Sequence, residues 1–142
     1  MADSEIAPDK VAAYFATLYR VGTGAESFTL RIGQYSPELA RLYVSSDRNC
    51  GLFITAFNPF GQAQSEAANE AAHRLLGKDL RTISACVVEG EGADLNGLWP
   101  PEKSYLALGI DHEAACILGK RWSQDAVVWT GEEATPKLIL LR

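Results

Sequence analysis

The stretch Gly51 to Pro59, Gly-Leu-Phe-Ile-Thr-Ala-Phe-Asn-Pro, constrains the fold more than any other part of the chain. Leu52, Phe53, Ile54, Ala56 and Phe57 leave no polar face, so the run reads as a strand covered on both sides. It stops at Asn58-Pro59, and a helix start follows at Ser65 after a short polar loop. Thr55 is the one polar side chain inside the run, and Asn58 ends it. A buried central strand that delivers polar groups at its end is a common base for a site.

The flanking segments supply partners for this strand. Residues 1–7 are expected to be loose, and Pro8 with Asp9 suits a first helical turn. Val11, Phe15 and Leu18 share a helical face with Tyr14 and Tyr19, which predicts a helix running towards Gly22. Phe28, Leu30 and Ile32 alternate with Thr29 and Arg31, a half-buried strand over 27–33 with Arg31 on its polar side. Ser36-Pro37-Glu38 opens a second helix with Leu39, Leu42 and Tyr43 facing inwards. Ser65 caps a helix to about Leu76, and Ile83 to Val88 reads as a strand. Residues 89–103, rich in glycine, proline and acid, read as a long loop. A strand over 104–109, a helix capped by Asp111, a strand over 126–130 and a last strand over 137–141 complete the chain.

Strand–helix–strand, a long hairpin loop, then strand–helix–strand is the ferredoxin-like βαββαβ pattern. The expectation is a single α+β domain over 8–142, with right-handed crossovers placing both crossover helices on one face. The outer strands would extend the antiparallel sheet, and the extra N-terminal helices would cover the remaining surface. A different mixed sheet built from the same elements is the alternative.

Composition narrows the class. A chain of 142 residues, 47% hydrophobic, is long enough for one domain with a real core. A net charge of −5 argues against a general nucleic-acid binder or a partner of anionic membranes. The acidic start does not resemble a targeting peptide, and no apolar run approaches the roughly 20 residues of a membrane span. The expected compartment is the cytoplasm. Cys50, Cys86 and Cys116 form neither a disulfide framework nor a Cys-x-x-Cys pair, so no metal is expected. Gly-Glu-Gly-Ala-Asp-Leu lacks the third glycine of a dinucleotide fingerprint, and no phosphate-binding Gly-Lys-Ser/Thr is present, so no cofactor is expected either.

Two constellations can carry chemistry. Ser65, Asn69 and His73 recur every four residues and share one helical stripe, which Thr55 and Asn58 can meet. Such a cluster suits a carboxylate, phosphate or amide of a small ligand. The competing reading is structural: Asn58 folds its turn, Ser65 caps the helix and Asn69 satisfies backbone. The second constellation is Trp99, Glu102 and Ser104, with Trp99 as a pocket lid or a loop anchor, and Glu102 as an acid, a base or a partner of Arg31. Arg31 suits an anion or a pairing with Glu26 or Glu102, and the Gln124 amide suits a ligand or a helix end. Neither histidine accompanies a nucleophile motif.

Several of these residues also form a pattern. A strand ending Ile54-Thr55-Ala56-x-Asn58-Pro59 precedes a helix with Ser65 and Asn69, then Gly90-x-Gly92, then Trp99-Pro100-x-Glu102-x-Ser104, then Gln124-x-Ala126 leading to Trp129. Over about residues 19–141 the chain resembles the bacterial family known as domain of unknown function 3293. It departs from the pattern at Asp125, where asparagine is expected, and at Ala68, where an acid commonly stands. The resemblance carries no activity. The function expected from the residues is a ligand-binding or regulatory domain, its site drawn from Thr55, Asn58, Asn69, Arg31, Trp99, Glu102 and Gln124. One alternative is an enzyme with Glu102 or His73 as acid/base. The other is a protein-interaction module or homodimer.

Overall fold

The computed structural model describes residues 5–142. The part of the expected loose start that falls on residues 1–4 lies outside the described residues. Within its remainder, Ile6 is buried at 8% exposure.

The elements run α1 (Pro8–Phe15), β1 (Thr17–Val21), β2 (Phe28–Leu30), α2 (Pro37–Ser46), β3 (Gly51–Thr55), α3 (Glu66–Arg81), β4 (Val87–Asp94), β5 (Glu102–Leu108), α4 (His112–Arg121), β6 (Ala126–Thr130) and β7 (Pro136–Leu140). The strands form one seven-stranded sheet in the order β2-β1-β4-β5-β3-β6-β7, and every neighbouring pair is antiparallel. This is an α+β fold with β3 flanked on both sides, by β5 and β6.

Alternation along β3 splits the core into two layers. Leu52, Ile54 and, just beyond the strand, Ala56 join Leu76 and Leu80 of α3 and Ala115 and Leu118 of α4. Phe53 joins Tyr19, Leu30, Leu106 and Val128 with Leu39 and Tyr43 of α2 on the other layer. Leu52, Leu76, Leu80, Leu106 and Leu39 are fully buried, and each such side chain contributes about 1.5–3 kcal/mol by leaving water. Ser36, Ser65 and Asp111 cap α2, α3 and α4 through their side-chain oxygens, as their positions in the sequence predict. α3 continues past the expected Leu76 to Arg81, and Gly77 sits inside it where Tyr105 packs against the helix and a Cβ would overlap the phenol.

Two expectations need correction. The first helix ends at Phe15, and Thr17 to Val21 form β1, whose Thr17, Tyr19 and Val21 point into the core. These β-branched and aromatic residues alternate, and pairing with both β2 and β4 decides the conformation. The strand read over Ile83 to Val88 begins only at Val87, and the loop read over 89–103 is mostly strand: β4 extends to Asp94 and β5 begins at Glu102. Gly90 explains why an acid- and glycine-rich stretch enters the sheet. A Cβ there would overlap the carbonyl oxygen of Arg20, so only glycine lets β1 and β4 close up.

Candidate active site or ligand cavity

Beyond the C-terminal end of β3 lies a cavity of about 840 Å³. Its walls come from α1, the ends of β3 and β5, the first turns of α3 and the approach to β6. Thr55, Asn58, Asn69, Trp99, Glu102 and Gln124 all line it. Arg31 does not: it follows β2, and its buried Nε makes no hydrogen bond. The structure thus brings six of the seven sequence-chosen residues together and leaves Arg31 apart.

The turn after β3 is built around Asn58. Its backbone is left-handed, at φ 48° and ψ 66°, a conformation that asparagine tolerates better than most residues. Its backbone N–H donates to Asn69 Oδ1 at 2.9 Å, and Asn69 Nδ2 donates back to Asn58 Oδ1 at 3.1 Å. Gln64 Nε2 donates to Asn69 Oδ1 at 2.7 Å. Asn58 Nδ2 in turn donates to Glu102 Oε2 at 2.7 Å. The amides therefore satisfy one another and present one carboxylate. Thr55 Oγ1 donates to the Lys103 carbonyl and accepts from Phe57 N–H, and Gln124 Nε2 donates to the carbonyls of Phe57 and Trp122. Both of these residues shape the wall through backbone contacts.

Glu102 is the chemical centre of this arrangement. Burial pushes its carboxyl above the ordinary value, while the bond from Asn58 and the charge of Lys10 pull the other way. Its Oε1 has no partner among the described residues. Tyr14 of α1 lines the same cavity, and its hydroxyl is pushed up to about 12 by burial and by the charges of Asp125 and Glu102. Asp125 takes the Lys10 ammonium on one oxygen and Arg142 Nη1, at 2.7 Å, on the other. Burial opposes its ionisation, but these two cations together hold its carboxyl below the ordinary value.

Of five non-glycine residues with positive φ among those described, Asn58, Phe60 and Ser123 surround this end of the sheet. Strained backbone gathers at sites that function needs to hold in place. Lys10, Tyr14 and Asp125 are the site residues that sequence reasoning did not select. The signal available was the spacing of Lys10 and Tyr14, four apart on one helical face.

His73 lies elsewhere. Its ring stacks on Tyr105 at 4.3 Å between centroids, its Nε2 is 3.6 Å from Glu89 Oε1, and it does not line the cavity. Burial lowers its pKa against the pull of Glu89. Among the described residues, no group of three or more His, Cys, Asp or Glu is placed to hold a metal ion, and no helix is long and apolar enough to cross a membrane.

The model of a family described as proteins of unknown function, DUF3293, matches residues 54–127, more than half of the chain. The chain belongs to this family. Comparisons with curated proteins and with solved structures give no match. The DUF3293 segment begins inside β3 and ends inside β6, so it holds Asn58, Asn69, Trp99, Glu102 and Gln124. Lys10 and Tyr14, which close the cavity from α1, precede it.

Proposed function

We propose that this protein is a small-molecule-binding domain built on a ferredoxin-like core. The order β4-β5-β3-β6, with α3 and α4 packed into one layer of the core, supports the architectural part. The observation that carries the functional part is the Glu102 carboxylate, oriented by Asn58 and facing a cavity of about 840 Å³ with an oxygen to offer. Cavities of roughly 300–1,000 Å³ with few convergent polar groups are typical small-molecule sites. A regulatory role belongs to the same reading, because a ligand filling the cavity would touch α1. Three unpaired cysteines fit the reducing cytoplasm.

A second reading makes Glu102 a general acid or base. It is favoured by the burial that raises the carboxyl and by the 2.7 Å bond that fixes its direction. His73 has no such support. Exposed large apolar side chains are spread over α1, α2, α3, α4 and several loops, which supports a protein partner or homodimer less well.

A thermal-shift screen of metabolites and nucleotides on wild type, Glu102→Gln and Asn58→Gly tests the reading. A ligand at about 100 times its Kd adds roughly 2.7 kcal/mol, several degrees of Tm for a domain this size. Hits that both variants weaken are expected. A blank screen, or hits indifferent to both variants, would remove the site from this cavity.

A further inference from the structure

We propose that the cavity selects an organic cation: a ligand with an ammonium or amidinium N–H head on an apolar, ring-sized body, the head seated on Glu102. The inference rests on the reading of the cavity as a binding site and adds the chemistry of the ligand.

Charge within the cavity is the first argument. Asp125 holds both Lys10 and Arg142, and Arg142 also lies 3.7 Å from Glu5, so two carboxylates already face these two cations and neither side calls for an outside partner. Glu102 has a single bonded partner, a neutral amide, and Lys10 reaches it only through its charge. A carboxylate in a partly desolvated wall without a bonded cation is a vacancy for positive charge. Lys10 and Tyr14 from α1, Asn58 from the turn and Asp125 before β6 line the cavity with it, as does a further carboxylate, Glu66, at the start of α3, and Lys10 is already committed to Asp125.

Hydrogen-bonding capacity is the second. Asn58 Oδ1 accepts from Asn69 and from Gln64 N–H, and Asn69 Oδ1 accepts from Asn58 and Gln64. What remains on the Glu102 side is Oε1, a charged acceptor, which asks for a donor. An anionic head would meet this carboxylate with both nearby cations tied to Asp125.

The walls are the third. Tyr14, Tyr19, Phe53, Phe57 and Trp99 surround the polar end. Aromatic faces attract cations and pack flat apolar bodies, whereas a carboxylate is repelled by the faces and is left with the Tyr14 O–H and Trp99 N–H as donors.

The test uses the full chain and benzyl-sized probes that differ only in the head: benzylamine, benzamidine, benzyl alcohol, benzamide and benzoate. Binding is followed by amide chemical-shift titration up to millimolar concentration. Benzylamine and benzamidine should bind at least tenfold more tightly than benzoate, with shifts at Tyr14 and Trp99. Glu102→Gln, which keeps the shape and an acceptor for Asn58, should abolish that preference while leaving the unliganded spectrum folded. Asn58→Gly should weaken cation binding too, by releasing the carboxylate. If benzoate or the neutral probes bind at these residues as well as the cations do, the head-group inference is overturned and the cavity reading survives. If no probe of any charge moves these residues, both fall.

Discussion

Asn58 has two roles that the sequence could not separate, and a pair of substitutions does so. Its side chain links Asn69 to Glu102, while its backbone holds a positive φ ahead of Pro59. Asn58→Gly removes the first role and keeps the second, whereas Asn58→Ala removes both. The alanine variant should be the less stable by about 1 kcal/mol, the cost of a left-handed backbone with a Cβ, as read by urea denaturation. Equal stabilities would mean that the turn carries no strain. The two carboxylates beside it should respond to pH with opposite signs. Glu102 has a folded-state pKa above its ordinary 4.5, so its ionised form costs stability at neutral pH, and that cost fades as pH falls through the folded value. Glu102→Gln should therefore be more stable than wild type at pH 7, with the difference closing towards pH 4.5. Asp125 has a folded value below its ordinary 3.8, so its contribution is whole above 3.8 and is lost only as pH falls further. Asp125→Ala should cost about 1–3 kcal/mol at neutral pH, because the part-exposed Lys10 can rehydrate. Denaturation curves at several pH values check both signs. The Asn-Pro turn and Glu102 were legible because residue type and position suffice to suggest them. Arg31 was misplaced because strand alternation puts a side chain on a face without saying which end of the sheet holds the cavity.

Helices and strands differed in how much of them could be read. α2, α3 and α4 announce themselves through local caps at Ser36, Ser65 and Asp111. β1 does not, because Val11, Phe15 and Leu18 continue a helical spacing across the break at Ala16. What converts Thr17–Val21 into a strand is β4, and Thr17 pairs with Asp94, far along the chain. Such pairing leaves no local mark. β4 was obscured for the complementary reason, since Glu89-Gly-Glu-Gly-Ala-Asp has poor strand propensity. Gly90 turns that weakness into a requirement, because the Arg20 carbonyl occupies the place of its Cβ. Gly90→Ala should destabilise the protein by about 1–3 kcal/mol or more, since the obstacle is backbone rather than a movable side chain. Hydrogen exchange should also show β1 opening separately from β3. A substitution within about 0.5 kcal/mol of wild type would mean that the β1–β4 seam is slack.

At the scale of the whole molecule, the cavity joins segments of unequal strength. Its floor belongs to β3 and β5, whose residues from Gly51 to Ile54 and from Ser104 to Leu108 are all buried. Its other side is α1, which has no buried residue. That helix is held by Lys10 on Asp125, by Tyr19 Oη donating to the Tyr14 carbonyl and by Thr17 Oγ1 donating to the Ala13 carbonyl. The segment between β4 and β5 is similarly exposed, with Leu98 at 82% and Leu95 at 51%. Elements with few buried contacts open below the global unfolding free energy, and elements at a ligand site are commonly drawn from that weaker set. The amides of α1 should therefore exchange with an opening free energy a few kcal/mol below that of β3 and β5. A ligand that fills the cavity should slow exchange in α1 and over 95–101 together, since both contribute to its walls, while the β3 amides follow only the global gain in stability. Native-state exchange with and without benzamidine would read both effects. Protection confined to α1 would move the ligand off the Trp99 side, and protection of neither would show that the molecule can hold its floor without its walls taking part in binding.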